Sequence, residues 1–326
     1  YIYRFFDNAV RGDTVIYPGE SDAMVITPIE GCSVGMTISI DSNQYGQVDP
    51  YVSGAAAVAE GVRNVISSGG RPIAITDCLN YGNPEKPDVF FDFKEGVRGI
   101  GDAARSLSFI DGEALPIISG NVSFYNESKQ GRAVIPSPVI CVLGRVEHIN
   151  QSKPMQVFES GLSLISIGKR YAEFGGTQIK KYVSEINNVA PQFRAEEEAR
   201  QNKFVLDLIQ SKQCEACHDI SVGGLWMAVT EMVLGERAIS KCGADLTLEG
   251  DVFTSLFSEN GGYVIAVKPE NEASILALAN KAGVDTTLLG RTTDSLSLTI
   301  SSDEGQLISM DLTELKESWN TRNDIV

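Results

Sequence analysis

Histidine is scarce in this chain of 326 residues: only His148 and His218 occur. Few positions can therefore supply a histidine general base, and any such group is expected from elsewhere. Basic residues are also short, with 27 Lys and Arg against 43 Asp and Glu, for a net charge of −16. That balance argues against nucleic acid or anionic lipid as a partner. It does not exclude phosphorylated ligands, because backbone N–H groups and a bound Mg²⁺ hold phosphate locally. No apolar run approaches the length of a bilayer span. With no such span no membrane contact is expected, and no basic-apolar leader opens the sequence. Six cysteines (Cys32, Cys78, Cys141, Cys214, Cys217 and Cys242) are a low density for this length. They predict reduced, free thiols and a cytoplasmic setting.

What is present reads as two domains. The length exceeds that of a typical single core. Hydrophobic residues make up 43% and charged residues 21%, the balance of a globular chain. Short β-branched runs predict strands at 14–17, 23–27, 35–40, 72–76, 116–119 and 139–145. Val52, Ala55, Ala59, Val62 and Ile66 share one helical face, and Gly69-Gly70 ends that helix. Phe93, Val97, Ile100, Ala104 and Leu107 mark a second amphipathic helix. The alternation predicts an α/β (α+β) layer architecture. The sequence turns polar between His148 and Phe158, which places a boundary there and gives domains 1–150 and 151–326. Beyond it, strands are expected at 161–167 and 262–267, and helices at 196–210, 224–234, 271–282 and 312–319. The chain opens at Tyr1 rather than Met, inside what reads as folded sequence, so a piece of a longer protein is expected.

Four polar loops are candidate sites. Asp77, Asn80, Asn83 and Glu85 follow the apolar stretch Ile73–Thr76. Ligands of open α/β folds sit beyond strand C-terminal ends, and a carboxylate there suits Mg²⁺ or a nucleotide. The plain alternative is a loop of Asx turns. Gly120-Asn121-Val122-Ser123 follows a second strand one unit later. Its glycine admits close approach of a phosphate, its amide oxygen suits Mg²⁺ and its hydroxyl is a donor; an ordinary turn is the alternative. Gly175-Gly176-Thr177 offers a phosphate cradle or a turn. His218-Asp219-Ile220-Ser221-Val222-Gly223-Gly224 opens a helix, with Ser221 as a candidate cap and the glycines exposing N–H groups to an anion. Cys214-Glu215-Ala216-Cys217-His218 matches a haem-attachment pattern. Without an export signal, an axial-ligand context or a second cysteine pair, haem and zinc are both rejected.

The ordered series TDCLNYGNPEKP, FKEGVRGIGDAARSL and SGNVSFYNES resembles the second half of the phosphoribosylformylglycinamidine synthase family, the large subunit or its small bacterial form. HDISVGGL resembles that family's HDxSDGGL element, LFSENGGYVIAV its late strand and LTELKESW its end. The resemblance spans nearly the whole chain. It implies the second copy of a two-domain unit like aminoimidazole ribonucleotide synthetase, in a pseudo-dimer with an N-terminal half. It implies an ATP-dependent ligase of purine biosynthesis, in which the amide oxygen of formylglycinamide ribonucleotide is phosphorylated and ammonia from a glutaminase displaces the phosphate. Carried over by position, Asp77 and Gly120 would contact ATP, Asn121 would bind Mg²⁺ and Ser123 would bind substrate. Asn80, Asn83, Gly175, Gly176 and Asp219 are secondary candidates. The catalytic histidine, the lysine and the remaining Mg²⁺ ligands would lie in the other half. Two departures stand out. Val222 replaces an acidic residue of the family's SDGG, which puts a metal or auxiliary nucleotide at that element in doubt. The stretch 108–115 is also a few residues longer. The alternative to an enzyme half is a structural pseudo-dimer module that holds an auxiliary nucleotide without turnover. Alone, the chain is expected to pair with a second copy through its first sheet.

Overall fold

The computed structural model describes residues 12–17, 19–235 and 241–320. The first sheet contains β1 (Thr14–Ile16), β2 (Met24–Ile26), β3 (Gly35–Asp41), β4 (Arg71–Asn80), β5 (Ile117–Ser123) and β6 (Ser137–Val146). Its order is β1-β2-β3-β6-β4-β5. Every pairing is antiparallel except β4 with β5. That parallel pair needs a crossover, which helix α2 (Pro87–Ser106) supplies.

Helix α1 (Pro50–Ser67) is the centre of the molecule. Asp49 caps it by accepting from the Val52 N–H at 3.1 Å, Pro50 stands at its first position, and Gly69 leaves it at φ +94°. Glycines bring α1 and α2 together: a Cβ on Gly54 would lie 2.1 Å from the Gly96 carbonyl oxygen. One on Gly99 would lie 2.1 Å from that of Tyr51. Both helices lie on one face of the sheet, and Ile75, Leu79, Ile140 and Val142 pack against them.

The second sheet runs β13-β12-β9-β11-β7-β10-β8. Its strands are β7 (Ser163–Ile167), β8 (Ala216–Asp219), β9 (Gly243–Thr247), β10 (Tyr263–Val267), β11 (Thr286–Thr293), β12 (Ser297–Ser302) and β13 (Gly305–Asp311). The central β7 and β10 are buried along their whole length. Around them pack α3 (Ala195–Gln210), α4 (Gly224–Leu234), α5 (Val252–Phe257), α6 (Pro269–Ala282) and α7 (Leu312–Asn320). One core is continuous from α1 and α2 through α3 to β7 and β10, so the two sheets share apolar interior. Among the described residues no helix is long and apolar enough to cross a membrane.

Several expectations change. Strand β4 runs through Asn80 and β5 through Ser123, so Asp77 and Gly120-Asn121 lie on strands and not in loops after them. Ser221 does not cap α4: the cap position is Gly223 at φ +84°, with no side-chain bond. All six cysteines are free, and Cys214 and Cys217 are buried.

The other face of the first sheet is open. Ile40 is 69% exposed and Ile118 62% exposed. Strand β5 lies at the edge of this sheet and is exposed through Val122, and among the described residues one side of its backbone has no strand partner.

Candidate functional site

Registration of β4 on β5 assembles the four leading residues. Asp77 stands opposite Gly120, Cys78 opposite Asn121 and Asn80 opposite Ser123. Side chains alternate along a strand. Asp77 and Gly120 therefore point to the helix side, while Cys78, Asn80, Asn121 and Ser123 share the open side. Because β5 is an edge strand, both sets meet at one rim.

Glycine at 120 has a specific cause. A Cβ there would lie 2.2 Å from Asp77 Oδ1, so only glycine lets the carboxylate lie across the neighbouring strand. Partial burial pushes the Asp77 carboxyl above its usual range. Asn121 is exposed, and its amide Nδ2 donates to the Cys78 sulfur at 3.5 Å. Ser123 Oγ lies 3.3 Å from Asn126 Oδ1. Asn126, which the motif reading passed over, also donates to the carbonyls of Tyr81 at 3.0 Å and Ser123 at 2.9 Å. It fixes the bend after β5, where Tyr125 adopts φ +60°. A non-glycine residue there costs on the order of 1 kcal/mol and persists where its surroundings enforce it.

The secondary candidates divide differently. Asn80 Nδ2 donates to Ser137 O at 3.2 Å and Cys78 O at 3.1 Å, so it stitches strands. Asn83 Oδ1 accepts from the Glu85 N–H at 2.9 Å, the Asx turn of the plain reading. Gly175 is required by packing, since a Cβ would lie 2.6 Å from the Asn188 carbonyl oxygen. Gly176, at φ +77°, lines a cleft of about 360 Å³ with Ser42, Asn43, Tyr45, Gln178, Lys181 and Glu259. Glu259 ties that cleft together. It accepts from Tyr45 Oη at 2.9 Å, Gln178 N–H at 2.9 Å and Gly223 N–H at 2.8 Å.

Asp219 belongs to a second constellation, buried between the sheets. Arg63 on α1 donates to both Glu198 oxygens at 3.0 and 3.1 Å, and its Nε stands 3.6 Å from Asp219. Asn64 donates to Asp41 at 2.8 Å. The His218 ring lies between Asp22, 2.5 Å from Nδ1, and Glu231, 2.8 Å from Nε2. Burial alone would lower its pKa, but the Asp22 charge and both hydrogen bonds raise it well above the usual value. His218 is therefore an imidazolium clamp, with both ring nitrogens engaged by carboxylates. His148 Nδ1 accepts from the Asn150 N–H at 3.4 Å in the connecting segment.

Burial pushes Asp41 and Asp219 up to about 7, and drives Glu60 well above its usual range. Asp41 Oδ2, Asp219 Oδ2 and Asn64 Oδ1 are buried without a hydrogen-bond partner. Asp22, His218 and Asp219 each place a potential ligand atom within 4.8 Å of the others. The sequence motif contains only His218 and Asp219 of this constellation. The missed signal was Glu60, Arg63 and Asn64 inside an otherwise apolar helix, since charge in a buried helix needs a partner.

These shifts set a pH dependence. Between about pH 4 and 7 the folded state keeps protons that the unfolded chain has released, so stability falls as pH rises. Asp41→Asn removes one such group. By urea unfolding, the variant should gain about 2 kcal/mol relative to wild type between pH 4.5 and 7.5. A constant difference across that range would contradict the assignment.

This two-sheet arrangement is that of a known family. The family described as AIR synthase related protein, N-terminal domain, matches residues 20–146, and the corresponding C-terminal domain matches residues 160–302. The chain belongs to this family. Within it, the chain is a homologue of PurL, a phosphoribosylformylglycinamidine synthase subunit. It is 39% identical to that subunit from Methanothrix thermoacetophila over 98% of its own length and 42% of the relative's. The chain thus spans well under half of that relative. Its fold matches T. maritima PurL complexed with FGAR at a TM-score of 0.74 and 17% identity, covering 97% of this chain and 49% of that one. It matches T. maritima PurL complexed with ATP at 0.67 and 18% identity, covering 89% and 47%.

Proposed function

We propose that this chain is the C-terminal half of a phosphoribosylformylglycinamidine synthase, with domains 1–150 and 151–326 as the second copy of the two-domain unit. It contributes one wall of the ligase site, and the N-terminal half supplies the other. The observation that carries this reading is the rim of β4 and β5. There a carboxylate on β4 meets a glycine, an amide and a hydroxyl on β5, the edge strand of the sheet among the described residues. Asp77 and Gly120 take the ATP side, and Ser123 takes formylglycinamide ribonucleotide. Asn121 offers a hard amide oxygen that fits Mg²⁺, which neutralises phosphate charge when bound. Neither histidine stands at the rim: His218 is clamped between Asp22 and Glu231, and His148 follows β6 at the end of the sheet where β4 begins, away from Asp77. The catalytic base therefore comes from the other half, and this half alone does not turn over.

The remaining partners follow. A glutaminase subunit or domain delivers ammonia, the setting is cytoplasmic, and neither nucleic acid nor membrane takes part. The open face of the first sheet seats the N-terminal half. In isolation it seats a second copy of this chain.

The test uses synthase assembled from both halves, with ammonia as donor. Asn121→Ala should cut kcat about 100-fold and raise the Mg²⁺ requirement, by analogy with loss of a metal-site group. Asp77→Asn should raise KM for ATP about tenfold, the loss of one charge-assisted contact. Wild-type kinetics in both variants would sink the assignment.

A second reading places an auxiliary nucleotide between the sheets. The orphaned oxygens of Asp41, Asp219 and Asn64 favour it, because oxygen donors suit a Mg²⁺ that carries phosphate. Arg63 and Val222 oppose it, the first by supplying positive charge already and the second by supplying no ligand. Calorimetric titration of the chain with Mg²⁺ and ADP decides. Heat that disappears in Asp219→Asn supports the second site, and no heat in wild type removes it.

A further inference from the structure

We infer that Cys78 is a positioning residue that aims Asn121, an inference that rests on the proposed role of Asn121 toward Mg²⁺. The two residues are registered partners on β4 and β5 and point to the same side. The Asn121 Nδ2 donates to Cys78 Sγ at 3.5 Å. Asn80 Nδ2, on the other side along β4, lies 3.8 Å from the same sulfur. The thiol is thus an acceptor shared by two amide groups, one from each strand.

A carboxamide carries one donor end and one acceptor end on a planar group. Fixing its NH₂ against the sulfur turns Oδ1 away from Cys78, toward the open rim. Asn121 is exposed on an edge strand, and among the described residues the Cys78 sulfur is the hydrogen-bond partner of its side chain. Without the sulfur the amide can rotate and present NH₂ in place of oxygen, which a cation rejects. Cys78 itself is half-buried and need not touch nucleotide or substrate. Its contribution is orientation of the amide before the ligand arrives.

The experiment compares Cys78→Ala, Cys78→Ser and Asn121→Ala in synthase assembled from both halves. It reads Mn²⁺ affinity by electron paramagnetic resonance in the presence of ADP, together with the Mg²⁺ concentration for half-maximal activity. Cys78→Ala should weaken both about fivefold, the loss of one modest hydrogen bond. The KM for formylglycinamide ribonucleotide and the thermal midpoint should stay at wild-type values. Cys78→Ser restores an acceptor and should recover cation affinity to within about twofold. If Cys78→Ala leaves cation affinity unchanged while Asn121→Ala lowers it, the positioning role is overturned and the site stands. If Cys78→Ser is as impaired as Cys78→Ala, side-chain bulk and not the acceptor matters, and the role is again overturned. If Asn121→Ala itself leaves cation affinity unchanged, the assignment of Asn121 fails and takes this inference with it.

Discussion

The buried guanidinium of Arg63 is the constraint on which the two halves of the molecule turn. It sits on α1, packed under the first sheet, and reaches Glu198 on α3 and Asp219 on β8. A buried ion pair contributes little net stability against an apolar substitute, but removing one partner costs about 3–5 kcal/mol. Its worth is specificity: the charges accept one placement of α1 against the second domain. His218 adds a second tie. It joins β8 to Asp22 ahead of β2 and to Glu231 on α4. With α1 fixed, the sheet it supports is fixed, and so is the position of the rim of β4 and β5.

That rim is exposed for a reason the interior does not share. Parallel β5 is reached by the α2 crossover, and among the described residues it pairs only with β4. Edge strands are ordinarily blunted by charge or proline. This one instead carries Ile117, Ile118 and Val122 beside Asn121 and Ser123. An apolar edge next to polar site residues fits a surface that another chain covers. The glycine pairs between α1 and α2 keep the opposite face closely packed, so the open side is the one left for a partner.

Much of this was legible in the sequence, and the failures have physical causes. Apolar spacing located α1 because its repeat is long and regular. Strand ends were misplaced at Asp77 and Gly120, since Asp, Asn and Gly are poor strand formers. Ladder bonds with β6 on one side and β5 on the other carry β4 on to Asn80 all the same. Strand β8 was invisible because Ala216–Asp219 is four residues long and half polar. The four leading residues were legible as candidates because they lie in two contiguous motifs. The ionic cluster was not, because Asp22, Asp41, Glu60, Arg63, Glu198 and Asp219 are scattered along the chain and converge only in the fold. Asn80 and Asn83 also make structural bonds, one across strands and one in an Asx turn, which a motif does not reveal.

Under the proposed function, a complete ligase site needs a second half against the open face of the first sheet. Light scattering coupled to an assay with ATP, formylglycinamide ribonucleotide and ammonia tests it directly. The chain alone should scatter as a dimer and show no turnover. Adding the N-terminal half should replace that species with a one-to-one pair and switch on turnover. A chain that is monomeric and active by itself would contradict the account.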